Sequence, residues 1–319
     1  MTQHSTEAPD LIADIGGTNA RFALATPDGR IQSERVLSGA DYPDLIQAAA
    51  AYLRGIAGPH PRRAAVAVAT PVTGDWIQFT NSHWSFSRRA AEQALGLERL
   101  LILNDFTALA LALPLLGSNE RRQVGGGTTV ENAPIGLIGP GTGLGVSGLV
   151  WSGSHWIPLQ TEGGHVTFSP ANEREWVIGQ ILQRQFGHVS PERFLSGPGL
   201  VNLYTALAEL EGWPAEGLAP AEITERALAE NCRHCAEVVE MFLGMLGTAA
   251  GNLALTLGAR GGVYIGGGIV PRLGDFFDRS AFRARFEAKG RFNSYLAAIP
   301  TWVITADHPA LRGAAAALD

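Results

Sequence analysis

Residues 11–21, LIADIGGTNAR, place an acid, a glycine pair and a hydroxyl within a few positions of one another. The apolar run Leu11-Ile12-Ala13 delivers Asp14 into a Gly16-Gly17 turn that continues into Thr18 and Asn19. Such a turn exposes backbone N–H groups beside a carboxylate. Phosphate oxygens bind the N–H groups, and a Mg2+ ion bridging those oxygens is held by the carboxylate, directly or through water. A second turn, Gly139-Pro-Gly-Thr-Gly-Leu-Gly145, leaves the backbone open at alternate positions and adds the Thr142 hydroxyl. A third glycine turn, Gly266-Gly267-Gly268, follows the apolar run GVYI.

Three further groups carry acid or imidazole side chains. Asn104-Asp105 stands where the strand-like LLIL meets a helix, so either residue suits an N-cap. A carboxylate at the carboxyl end of a sheet strand also faces the crevice where ligands bind, and there it can take a proton from a hydroxyl. Glu162-Gly-Gly-His165 suits hydrogen bonding to vicinal hydroxyls, or is an ordinary turn with solvated side chains. As a zinc site it supplies only two ligands. Glu192, in PERFLSG, either complements a helix dipole or binds a ligand.

Composition narrows the classes. Hydrophobic residues make up 46% and charged residues 17% of 319, enough for two buried cores and too apolar for disorder. Net charge is −6, and the arginine pairs are scattered, so no nucleic-acid footprint is expected. The polar opening MTQHSTEAPD does not read as a signal peptide, and no apolar run is expected to span a bilayer. A cytoplasmic protein is the resulting expectation. The only lysine is Lys289, in FEAKGRF, so neither a Walker A loop nor a protein-kinase lysine is available. Gly143, Gly145 and Gly148 match a dinucleotide fingerprint, but VSGLVW after them reads as a strand where the fingerprint needs a helix. Cys232 and Cys235 lack the partners of a closed zinc site and read as reduced thiols.

The elements that must position these groups alternate. Strands are expected at 11–14, 21–26, 31–37, 64–69, 76–80 and 100–103, with helices at 42–55, 87–95 and 105–116, suiting a mostly parallel sheet. After Gly125-Gly126-Gly127 come strands at 134–139 and 146–151. Helices follow at 174–186, 192–210, 221–230 and 236–257, then a strand at 262–265. The tail, strand 301–305 and helix 309–318, is expected to return to the first block. Both blocks open on strand, glycine turn, strand, which suggests a duplicated architecture.

Taken in order, DIGGTNAR, LNDFTALA, GPGTGLG, EGGH, ERFLSGPGL and IGGGI resemble the bacterial glucokinases, a group of the actin-like sugar kinases without a zinc motif. The resemblance implies an α/β, two-domain actin-like (ribonuclease H-like) fold with an interdomain cleft. Its small domain would be 1–112 plus 306–319, and its large one 113–305. It implies phosphorylation of glucose by ATP with Mg2+, and a homodimer without zinc, nucleic acid or membrane partners. Asp105 would be the general base, and Asn104, Asp105, Glu162, His165 and Glu192 the sugar ligands. ATP would lie against Ala13, Asp14, Ile15, Gly16, Gly17, Thr18 and Asn19, then Gly141, Thr142 and Gly143, then Gly266, Gly267 and Gly268. Asp14 would organise the metal. A kinase for mannose, fructose or an N-acetyl-hexosamine, or a non-catalytic sugar sensor, is the alternative on the same fold.

Overall fold

A computed structural model describes residues 8–80 and 82–319, so residues 1–7 of the polar opening lie outside the described residues. The chain divides into two compact units. One runs to Leu116 and takes back Ala306–Asp319; the other is Gly117–Thr305.

The first unit is built on a five-stranded sheet. β1 (Asp10–Ile15), β2 (Asn19–Ala25) and β3 (Ile31–Ser38) form an antiparallel meander. β4 (Arg63–Val68) and β7 (Arg99–Asn104) run parallel to β1, in the order β3-β2-β1-β4-β7. The sheet is therefore mixed, where alternation in the sequence suggested mostly parallel pairing. Turns of a few residues join β1 to β2 and β2 to β3, and connections that short only permit antiparallel return. A small hairpin, β5 (Trp76–Gln78) with β6 (Ser85–Ser87), stands apart from the main sheet.

Period-two alternation gives β1 two covered faces. Leu11, Ala13 and Ile15 pack with Leu45, Ala48 and Tyr52 of the helix Leu45–Arg54, while Ile12 packs with Leu311, Ala314 and Leu318. Those last three residues lie on or just beyond the helix Pro309–Ala316. Covered on both sides, β4 reads as the unbroken run AAVAV. The helix Asp105–Ala112 meets Pro309–Ala316 almost backbone to backbone: a Cβ on Gly313 would collide with the Ala108 carbonyl oxygen.

The second unit carries a six-stranded sheet made of β8 (Arg121–Val124), β9 (Ile135–Pro140), β10 (Leu144–Trp151), β11 (Trp156–Leu159), β12 (Gly262–Ile265) and β13 (Thr301–Ile304). The order is β11-β10-β9-β12-β13-β8, so a meander followed by two parallel strands recurs with β8 added at the edge. Val238, Val239, Phe242, Leu243 and Leu246 of the 25-residue helix Arg233–Leu257 pack with Ile138, Val263, Ile265 and Val303 of the sheet in one core. By length and composition that helix could cross a bilayer, contrary to the expectation from the sequence, yet 61% of its most apolar window is buried inside the unit.

Two expected elements differ. The helix expected over 192–210 is a short 3-10 turn, Pro191–Arg193, followed by the helix Gly197–Glu211. Ser196 accepts the Gly199 N–H at 3.0 Å and Pro198 sits in the new first turn, so the chain restarts there. In the tail, β13 stays in the second sheet between β12 and β8, and only Pro309–Ala316 joins the first unit.

Replacing Gly313 by alanine should force apart the pair of helices that carries Asp105. We expect a loss of at least about 1–3 kcal/mol, read as a lower denaturant midpoint with an unchanged slope; an unchanged midpoint would mean the two helices separate at no cost.

Candidate active site

In the first unit, β1 and β7 flank β4 in parallel register, with Ile15 opposite Val68 and Val68 opposite Asn104. The functional residues therefore sit at the carboxyl ends of neighbouring strands, where ligands of such sheets bind. The Gly16-Gly17-Thr18 turn is closed by Gly16 N–H to the Asn19 carbonyl (2.9 Å) and by Gly39 N–H to the Thr18 carbonyl (2.8 Å). Gly16 to Asn19 are all exposed, as a phosphate loop requires.

Asp14, just before this turn, is held back from water. Burial pushes its carboxyl above the usual carboxylate range, against the opposing pull of Arg21 and His308. Arg21 stands directly across the β1–β2 ladder from it, Nη1 to Oδ2 at 4.0 Å. Arg21 Nε lies 2.9 Å from Glu34 Oε1, but off the line of a hydrogen bond. Arg21 and His308 had no role in the sequence reading. Arg21 could have been found there, since a short antiparallel turn places it opposite Asp14; His308 could not, because it is remote in sequence.

Asn104 and Asp105 divide the two tasks that local chemistry left open. Asn104 is the cap: its Oδ1 accepts the N–H of Phe106 (3.0 Å) and of Thr107 (3.3 Å). Its amide lies 3.5 Å from the Thr70 carbonyl. Asp105 is the first helical residue, and its carboxylate accepts the Phe106 N–H at 2.9 Å. Burial raises the Asp105 carboxyl to about 6; the Phe106 hydrogen bond opposes this shift and the negative charge of Asp14 adds to it. A carboxylate that ionises near neutrality is suited to accept a proton during a reaction.

In the second unit, the turn Gly141-Thr142-Gly143 links β9 to β10, with Gly141 N–H on the Gly143 carbonyl and Gly197 N–H on the Gly141 carbonyl, both at 2.8 Å. The strand that follows confirms the exclusion of a dinucleotide fingerprint. Glu192 comes from the 3-10 turn rather than from the first turn of a long helix, and its carboxylate accepts the N–H of Leu144 at 2.9 Å. His165 Nε2 lies 3.8 Å from Glu192 Oε2, with the histidine the more exposed of the two (56% against 28%).

The turn carrying Glu162 and His165 is a 3-10 turn seated on β10. Thr161 donates to the Val146 carbonyl (2.7 Å), and a Cβ on Gly164 would collide with the Leu144 carbonyl oxygen. His165 and Glu192 are thus brought together beside the Gly141–Gly143 turn, while Glu162 is exposed at the head of its own turn. Gly266, just past β12, donates to the Ile138 carbonyl at 2.9 Å, and Gly267 adopts φ +78° where its α-carbon closes on the Pro140 carbonyl. The second and third glycine turns therefore share the ends of the paired strands β9 and β12.

The fold has close counterparts. A solved glucokinase from an Antarctic psychrotroph superposes with a TM-score of 0.89 at 38% identity, covering 97% of this chain and 98% of that one. A ROK family glucokinase from Streptomyces griseus, solved with glucose and AMPPNP, shares the fold at a TM-score of 0.62 and 18% identity over 97% and 98% of the two chains. Glycine turns and carboxylates at strand ends on this scaffold define an actin-like sugar kinase, with ATP as the nucleotide of its class. The family model for glucokinase matches residues 11–319, and a glucokinase from Aromatoleum aromaticum is 56% identical over 98% of this chain and 95% of its own. The chain belongs to the glucokinase family.

The charge of Asp14 should be visible in the titration of Asp105. In the substrate-free protein, carboxyl NMR should place Asp105 near pH 6, and Asp14→Asn should move that midpoint to lower pH. An unmoved midpoint would mean that the charge of Asp14 plays no part in it.

Proposed function

We propose that this protein transfers the γ-phosphoryl group of ATP to the 6-hydroxyl of glucose, giving glucose 6-phosphate and ADP, with Asp105 as general base. The observation that carries the assignment is the Asp105 carboxylate, held partly out of water at the end of β7 with its titration raised to about 6. Support for the substrate comes from the family membership and from the relatives named above.

In this reading the 6-hydroxyl loses its proton to a carboxylate oxygen of Asp105 as its oxygen forms the bond to phosphorus. The Phe106 N–H keeps the other lone pairs of that side chain oriented. By the family resemblance, Asn104 and Asp105 in the first unit are candidate sugar ligands, as are Glu162, His165 and Glu192 in the second. The N–H groups of Gly16 to Asn19 and of Gly141 to Gly143, with the Thr18 and Thr142 hydroxyls, take phosphate oxygens. The Gly266–Gly268 turn lies beneath the adenosine.

The chain's chemistry fits a divalent cation at Asp14. Its carboxylate is 27% exposed, and Arg21 Nη1 stands 4.0 Å from it, too long for a direct hydrogen bond. Asp14 would hold Mg2+ through water, and the ion would supply charge neutralisation on the phosphates. Phosphoryl transfer asks chiefly for positioning and such neutralisation, so a site without a phosphate-binding lysine is sufficient. A cytoplasmic homodimer completes the proposal, on the family resemblance alone.

Asp105→Asn should lower kcat by about 10²- to 10⁴-fold while calorimetry still detects glucose, because the amide keeps its hydrogen bonds. Near-wild-type kcat with glucose binding lost would reduce Asp105 to a sugar ligand. The base must be ionised to act, so kcat/KM measured by ADP release should fall as pH drops through about 6. Glu162→Ala should raise KM for glucose more than for a deoxy analogue lacking the hydroxyl it reads. Equal penalties across the analogues, mannose included, would remove Glu162 from the sugar site.

A further inference from the structure

The motif NCRHC takes no part in the proposed kinase chemistry, and the fold gives it a specific setting. Cys232 is the N-cap of the 25-residue helix Arg233–Leu257, with extended backbone, and Cys235 is the third residue of that helix. The Cys232 sulfur already accepts the N–H of Cys235 at 3.2 Å. Cys232 is partly exposed; Cys235 is buried in the core with Val238, Val239 and Ala227. The cap sulfur therefore already lies over the turn that carries the second thiol, and a disulfide closes once the two Cβ atoms stand about 3.5–4.5 Å apart.

We propose that Cys232 and Cys235 form a redox-active dithiol, which closes to an intrahelical disulfide when it meets a low-molecular-weight disulfide of the glutathione type. In the first step the Cys232 thiolate attacks one sulfur of that disulfide, breaking its S–S bond and releasing one thiolate. In the second, Cys235 gives its proton to solvent and its sulfur attacks the Cys232 sulfur of the mixed disulfide, expelling the second thiolate. Two protein thiols are oxidised by two electrons, and the small disulfide is reduced to two thiols.

The two sulfurs have different work because their settings differ. Cys232, partly exposed at the start of the helix, is the sulfur that a small disulfide can reach, and this makes it the attacking group. Burial, reinforced by Cys232 itself, pushes the Cys235 thiol up to about 12, so it stays protonated and sheltered until its neighbour is converted to a mixed disulfide. Carboxylates around the motif are engaged with arginines: Glu211 and Glu237 with Arg174, and Glu216 with Arg226. His234 is stacked on Trp213, ring centroids 4.1 Å apart, so an indole reports directly on the motif.

The test uses the full chain under native conditions, in buffers of graded glutathione disulfide to glutathione ratio, with remaining thiols counted by alkylation and mass spectrometry. Wild type should lose both thiols together and regain both with dithiothreitol, accompanied by a reversible change in Trp213 fluorescence that a Trp213→Phe variant lacks. Cys235→Ser, or Cys235→Ala should the serine not fold, should stop at a mixed disulfide on Cys232. Cys232→Ser should react at least about tenfold more slowly than wild type, since its remaining thiol is buried. Two thiols persisting in the wild type at every ratio would overturn the proposal. So would a wild type that halts at the same mixed disulfide as Cys235→Ser.

Discussion

Keeping two carboxylates partly out of water at the ends of parallel strands is the constraint on which the first unit is organised. Asp14 and Asp105 each lose hydration, and the charge of Asp14 makes Asp105 harder still to ionise. The protein offsets this with modest, specific partners: Arg21 and His308 near Asp14, and on Asp105 the Phe106 N–H, with smaller help from its own N–H and the Asn104 side chain. Stronger neutralisation, such as a buried bidentate arginine, would pin both acids in the ionised state and remove the near-neutral response of Asp105. The strands β1, β4 and β7, covered on both faces, supply the rigid frame that holds this unfavourable pair in place.

The second unit solves a different problem with the same topology. Its strand ends carry backbone N–H groups and exposed polar side chains rather than desolvated acids. The Glu192 carboxylate is spent partly on the Leu144 N–H, the first residue after the Gly141–Gly143 turn. A group assigned to sugar recognition therefore also fixes the end of the loop assigned to phosphate. Tight seating of Gly164 on Leu144 adds the EGGH turn to the same assembly. The EGGH turn, Glu192 and the Gly141–Gly143 turn share one mechanical support, so none can shift without disturbing the others.

Much of this was legible in the residues, and the exceptions have physical causes. The three glycine turns and Asn104-Asp105 declare themselves because their chemistry is local: a turn needs glycine, and a cap needs a short polar side chain. The antiparallel meanders were less visible, since alternation shows that strands exist and leaves their direction to loop length. β8, RRQV, carries no apolar signature, and β11, WIPL, tolerates Pro158 because it is an edge strand. The short helices between residues 270 and 297 lack a sustained period and so leave no helical signature in the sequence. PERFLSG is helix-compatible up to the point where Ser196 caps a new helix, so the residues around Glu192 do not announce their 3-10 turn. What no local pattern could supply is proximity between remote segments, such as His308 with Asp14.

The return of Pro309–Ala316 to the first unit has a consequence for biosynthesis. One face of β1 and β4 is closed by Leu311, Ala314 and Leu318, which follow the whole of Gly117–Thr305 in the chain. During translation, Ile12, Ala23 and Ala65 must wait uncovered while the entire second unit leaves the ribosome. The second unit is continuous in sequence and can fold as it emerges, as domains generally do during synthesis. The acids at the ends of β1 and β7 thus reach their final setting only with the last helix, and a ribosome stalled short of that helix would leave an apolar sheet face for chaperones to cover.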